Sequence, residues 1–104
     1  MSTENNSDLL FNNSVKILTD LIGFKTISGS DNTALIDYCD DILKKLGATS
    51  FRTYDDEKKR VNLFATLKAK NSNNKKPIIL SGHTDVVPVS KGWSSDPFTA
   101  TIRE

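Results

Sequence analysis

The 104-residue chain has one histidine, and an aspartate stands two residues after it, in LSGHTDVVPV (80–89). In extended backbone, residues i and i+2 point to the same side. His83 and Asp85 are therefore predicted to share a face while Thr84 turns away. Two chemistries suit an imidazole beside a carboxylate. One is a core histidine whose ring N–H has found a hydrogen-bond partner. The other is a metal ligand with its orienting acid. An imidazole that binds metal through one nitrogen usually gives its other N–H to a carboxylate or carbonyl, which fixes the tautomer and makes the ligating nitrogen more basic. The pair alone leaves both open, because a catalytic zinc takes about three protein ligands and one imidazole supplies a single one.

The elements around the pair are compatible with a ligand position, although on these residues alone a satisfied core histidine is the favoured reading. IILSG (78–82) is a short continuous apolar run ending at glycine, the pattern of a buried central strand. Ligands in open α/β sheets collect at the carboxyl ends of strands, where His83 would stand. Gly82 would admit close backbone approach, and Pro88 would stop the strand. Upstream, Phe11, Val15, Leu18 and Ile22 lie on one helical face, with Gly23 as a C′ residue. KTISGSDN (25–32) reads as a loop. Leu35, Cys39, Ile42, Leu43 and Leu46 mark a second helix, capped by Asp31 or Asn32 and closed by Gly47 in the left-handed region. Cys39 lies on that apolar stripe and reads as core rather than as a nucleophile.

SFRTYD (50–55) and VNLFATLKA (61–69) are predicted strands of an antiparallel hairpin around a solvated EKKR turn. In the second, Val61, Leu63, Ala65 and Leu67 occupy one face, and Asn62, Phe64 and Thr66 the other. KNSNNKKP (70–77) is a connecting loop. The coarse order is α-α-β-β-β, and FTATIRE (98–104) reads as another strand. Trp93 reads as a loop anchor, Asp96 as a turn residue held extended before Pro97, and Phe98 as an inward start to the last strand. None of the three is assigned chemistry. The 78–82 and 98–104 strands would leave exposed sheet edges, and with them a tendency to aggregate.

Composition bounds the function. A chain of this length holds one domain at most. Hydrophobic residues at 37% and charged residues at 26% are ordinary for a soluble globular protein. With 14 basic and 13 acidic side chains and a net charge of +1, no large field would draw nucleic acid or an anionic membrane. One cysteine rules out an internal disulfide and suits a reducing, cytoplasmic compartment. MSTENNSDLLFNNS is polar, carries acids and lacks the apolar core of a signal peptide. No apolar run is long enough to span a membrane. The N-x-S triplets at Asn5 and Asn12 carry no meaning in a cytosolic chain.

GHTDVVPV, followed by GWSSDPFTATI, closely resembles the co-catalytic zinc amidohydrolases of the aminoacylase and carboxypeptidase type. Within that family the chain looks most like bacterial acetylornithine deacetylases, mainly through VSKGWSSDPF, and is also similar to succinyl-diaminopimelate desuccinylases. ILTDLIGFKTISG resembles the family's first helix and loop, LIDYCDDILKKLG its second helix, and VNLFATL and PIILSGHTDVVPV the strands leading to the site.

The resemblance implies a fold class: α/β, the N-terminal part of a zinc-peptidase-like catalytic domain, with two helices followed by strands of a mixed sheet. It implies that His83 is a ligand of one zinc, and that Asp85 is the acid serving catalysis by orienting His83. It implies two Zn2+ ions per complete site, with Co2+ as a substitute, and a metal-activated water attacking the amide of a small N-acylated amino acid while a glutamate takes its proton. Such relatives are expected to be homodimers. The remaining ligands, the general base and the dimerisation domain would follow a Gly-Arg-Gly segment expected just beyond TIRE. Residues 1–104 are accordingly expected to be an N-terminal portion of the catalytic domain, with little activity alone. The leading expectation is deacetylation of N-acetylornithine. The rivals are N-succinyl-diaminopimelate hydrolysis and a non-catalytic chain that only folds or associates.

Overall fold

The computed structural model describes residues 5–71 and 74–103. The first four residues of the polar N-terminus, residues 72–73 of the 70–77 loop and Glu104 at the end of the expected last strand lie outside the described residues. The elements are α1 (Asn6–Ile22), α2 (Thr33–Lys45), β1 (Thr49–Tyr54) and β2 (Val61–Thr66). The chain divides into two compact units, one spanning residues 26–87 and one formed by the segments up to Lys25 and from Pro88 onward.

In the second of these units, α1 starts at Asn5, whose side chain accepts the Asp8 N–H at 2.8 Å. That contact satisfies one of the unpaired donors of the first turn. Lys16 and Asp20 pair one turn apart at 2.6 Å. The expected apolar face is present but only partly covered: Val15 and Ile22 are half-buried, while Phe11 is 68% and Leu18 58% exposed. Gly23 differs from expectation: its backbone is right-handed helical at φ −68°, and its N–H still donates to Thr19 and Asp20. The helix thus tapers off without a left-handed cap.

In the 26–87 unit, α2 lies on one face of the β1–β2 hairpin. The strands pair antiparallel, Tyr54 opposite Val61 and Phe51 opposite Phe64. Opposed residues share a face, so Val61, Leu63, Ala65 and Arg52 turn toward α2, while Phe51 and Phe64 face outward and are exposed. Leu35, Ile36 and Val61 form the buried apolar core. Gly47 ends α2 with φ +91°, as expected of a residue free of a Cβ penalty. Leu46 departs from its expected stripe and is exposed.

The side chain least expected in this layer is Asp40, 1% exposed on the same helical face as Ile36. A buried carboxylate needs charged partners. Its Oδ2 receives Arg52 from β1 at 2.7 and 3.1 Å and Lys44 at 3.1 Å. The guanidinium also reaches Asp37 at 2.6 Å. One ion-paired network therefore ties helix to hairpin.

Two expected strands do not form. Ile78, Ile79 and Leu80 are 89%, 75% and 92% exposed and lack ladder partners among the described residues. Residues 98–103 likewise carry no strand, and Ile102 is 90% exposed. A strand exists through the hydrogen bonds of its neighbours, and an apolar run alone cannot supply them. The observed sheet is therefore two-stranded and antiparallel rather than mixed.

Two outcomes follow from this packing. The Ser50 hydroxyl, then Arg52, hold the Asp40 carboxyl at about 2 against an ordinary 3.8. A depressed carboxyl adds stability that is complete above the unfolded value and lost as pH falls through the folded one. Urea unfolding followed by circular dichroism is expected to weaken from about pH 5 toward about pH 2, with a shallower slope in Asp40→Asn. An equal slope in both would refute this role. Separately, light scattering should show association rising with concentration, reduced in an Ile79→Lys, Leu80→Lys variant, because exposed contiguous apolar side chains recruit partners.

Candidate functional site

His83 does not stand at the end of a central strand. It lies in an irregular segment, fixed by a neighbour that sequence spacing does not reveal. Residues 84–86 run beside residues 26–28 in a single parallel bridge, Ile27 to Val86. The Val86 N–H donates to the Thr26 carbonyl, and the Ser28 N–H donates to the Val86 carbonyl, each at 2.9 Å. The buried Thr26 hydroxyl donates to the Thr84 carbonyl at 2.6 Å. Three hydrogen bonds thus hold the backbone on which Asp85 sits.

The 26–28 segment is itself anchored to the hairpin. The Asn32 side chain exchanges two hydrogen bonds with the Val61 backbone, at 2.8 and 3.0 Å. This is a different task from the helix cap expected of it; Asp31 instead accepts the Thr33 N–H, at 2.8 Å. Arg60 donates to the Gly29 carbonyl at 3.1 Å. Gly29 makes the turn between these anchors at φ +88°, a conformation that favours glycine. Asp55 organises the EKKR turn that presents Arg60, accepting from the N–H groups of Lys59 and Arg60.

On this support His83 and Asp85 meet as their spacing predicts. His83 Nδ1 lies 2.9 Å from Asp85 Oδ1 and 3.1 Å from the Asp85 carbonyl oxygen. A carboxylate and a carbonyl can only accept, so Nδ1 must carry the hydrogen. In the neutral ring Nε2 then keeps its lone pair, the state an imidazole needs to bind a metal. The side chain is 83% exposed. Thr84, between the two, is half-buried.

The second carboxylate oxygen is also used. Asp85 Oδ2 accepts the Ser28 hydroxyl at 2.6 Å. That hydrogen bond, followed by the one from His83, holds the Asp85 carboxyl below the usual carboxylate range. Ser28 was only a loop residue in the sequence. The one available signal was its place inside a segment resembling the family's first loop. Gly82 shows no close backbone approach: nothing lies within 4 Å of where a Cβ would stand.

The donor set agrees in kind with zinc, an exposed imidazole backed by a carboxylate, but supplies one ligand. Among the described residues no group of three His, Cys, Asp or Glu side chains gathers. Cys39 is half-buried, and burial pushes its thiol up, as suits a core position. Trp93 is 60% exposed and anchors little. Asp96 makes the expected turn, accepting the Phe98 N–H at 2.9 Å. Phe98 is half-buried under the Lys25 ammonium rather than in a strand. Among the described residues no helix is long and apolar enough to cross a membrane.

Comparison with known proteins finds partial relatives of this chain. The chain is 40% identical over 96 residues to a succinyl-diaminopimelate desuccinylase of Rickettsia canadensis, an alignment covering 86% of this chain and 24% of the relative. It is 36% identical over 94 residues to the desuccinylase of Ehrlichia canis, covering 86% and 23%. An acetylornithine deacetylase of Proteus mirabilis is 33% identical over 98 residues, covering 86% and 24%. The chain is homologous to the N-terminal part of this family. The chain spans about a quarter of the length of these relatives. Desuccinylases predominate among them, which weighs against the preference for acetylornithine that VSKGWSSDPF suggested. No family model and no solved structure matches the chain.

The tautomer is directly measurable, because this chain contains one imidazole. Nitrogen-15 spectra at about pH 9, where an imidazole is neutral, should show Nδ1 protonated and Nε2 bare. Asp85→Ala should move the ring toward a mixture of tautomers. A bare Nδ1 in the unsubstituted protein would contradict the geometry.

Proposed function

We propose that this chain contributes a metal-ligating imidazole to a metal-dependent amidohydrolase of N-acylated amino acids. N-succinyl-diaminopimelate is the favoured substrate and N-acetylornithine the second. The observation that carries the reading is the exposed His83 ring, its Nδ1–H engaged by Asp85 and its Nε2 free. The predominance of desuccinylases among the relatives supports the choice of acyl group.

His83 Nε2 would hold one zinc, or cobalt in its place. Asp85 would act through His83 without touching substrate, keeping Nδ1 protonated and raising the electron density at Nε2. Zinc, when bound, supplies a water whose pKa falls from 15.7 toward about 7, so that hydroxide is available near neutral pH. Hydrolysis of the amide would release a carboxylate, succinate or acetate, and a free amine. The proposal assigns the remaining ligands and the general base to no residue of this chain. Such a biosynthetic hydrolase would work in the cytoplasm. The ligand count favours one second reading, a chain that folds or associates without catalysing anything by itself.

A chimera tests both readings. Residues 1–104 replace the corresponding quarter of the Rickettsia canadensis desuccinylase, and release of succinate and of acetate is followed with added zinc. Succinate release is expected, with nearly all turnover lost in His83→Ala. Asp85→Ala should cost about 10–100-fold, the usual effect of removing a ligand's hydrogen-bond partner. Turnover that survives His83→Ala would refute the ligand assignment. Faster acetate release from N-acetylornithine would reverse the substrate preference. A folded but inactive chimera would favour the non-catalytic reading.

A further inference from the structure

We propose that Ser28 is a positioning residue: its hydroxyl, locking the second oxygen of Asp85, holds the His83 ring in the Nδ1–H form with Nε2 turned free for metal. The inference rests on the reading of His83 as a ligand. Its basis is an unbroken run of short contacts. The Ser28 hydroxyl lies 2.6 Å from Asp85 Oδ2, and Asp85 Oδ1 lies 2.9 Å from His83 Nδ1.

A serine hydroxyl has one hydrogen to give. Its two acceptors here are the Asp85 carboxylate at 2.6 Å and the Val86 carbonyl at 3.5 Å. The nearer acceptor is also the charged one, and charge-assisted hydrogen bonds are the stronger kind. The proton therefore goes to Asp85. A carboxylate that is 60% exposed would otherwise rotate about its last bond and exchange partners with water. With Oδ2 tied to Ser28, the carboxylate plane is set and Oδ1 is left facing the ring.

Ser28 itself has little freedom to drift. Its own N–H is committed to the Val86 carbonyl at 2.9 Å, so backbone and side chain both engage the segment that carries Asp85. Behind it, Arg60 holds the Gly29 carbonyl, and Asn32 holds Val61. The orientation of an exposed ring is in this way referred back to the hairpin, by a contact between residues 57 positions apart in sequence.

The experiment compares the unsubstituted chain with Ser28→Ala and Ser28→Thr by nitrogen-15 spectroscopy of the single imidazole, without metal. The amide resonances of Thr26 and Val86 report whether the backbone bridge persists. Ser28→Ala is expected to keep that bridge and shift the ring toward mixed tautomers. In the chimera described above, the same substitution should weaken zinc binding by about tenfold, the lower end of losses for outer hydrogen-bond partners. Ser28→Thr keeps the hydroxyl and should restore both. A ring that retains its tautomer in Ser28→Ala overturns the proposal. So does a Ser28→Thr variant that fails to restore it while the bridge persists. Failure of the ligand reading is seen separately, as a chimera that keeps its zinc and turnover in His83→Ala while the tautomer of the unsubstituted chain still responds to Ser28.

Discussion

The site depends on one backbone pairing, the short parallel bridge that lays residues 26–28 against 84–86. Neither segment belongs to a helix or a strand ladder, so neither has regular structure to stiffen it. The pairing is sustained by side chains that reinforce it from both ends. Thr26 adds a hydroxyl to the Thr84 carbonyl, and Ser28 adds one to the Asp85 carboxylate. Without this bridge, His83 and Asp85 would still be neighbours in sequence, but nothing would fix the direction of the ring. A ligand's affinity rests on that direction, because a ring nitrogen binds metal along its lone pair.

The bridge inherits its position from the α2–hairpin layer. Three apolar side chains, Leu35, Ile36 and Val61, are buried there. So small a core leaves much of the alignment between helix and hairpin to polar contacts. Asp40 with Arg52 and Lys44 sets one face, and Asn32 with the Val61 backbone sets the edge nearest the site. Polar contacts of this kind are directional, and a few apolar side chains in contact are not. A small core can therefore still present the 26–28 segment in one register.

Partial alignment with longer relatives and exposed apolar surface fit one another. The chain aligns with about a quarter of each relative's length. Within the 26–87 unit, Ile78–Leu80 and the outward pair Phe51 and Phe64 are exposed. Large apolar side chains gathered on a surface are the mark of a face that other structure covers. The apolar run at 78–80 has the composition of an interior strand without the neighbours that would make it one.

The sequence by itself determined what depends on local spacing. Helical periodicity placed α1 and α2, alternation placed the hairpin and its buried face as far as Thr66, beyond which Leu67 is exposed rather than inward, and the left-handed backbone at Gly47 followed from residue type. The meeting of His83 with Asp85 was legible for the same reason, since residues two apart on extended backbone share a side. Tertiary structure alone decided three things. It set Asp40 of α2 into the core, which its charge argued against until Arg52 arrived from β1. It left 78–82 and 98–103 without ladders, because an apolar run carries no record of whether a neighbour is present. It brought Ser28 to Asp85, a contact 57 residues apart whose register comes from Asn32, Arg60 and the hairpin, and which no periodicity encodes.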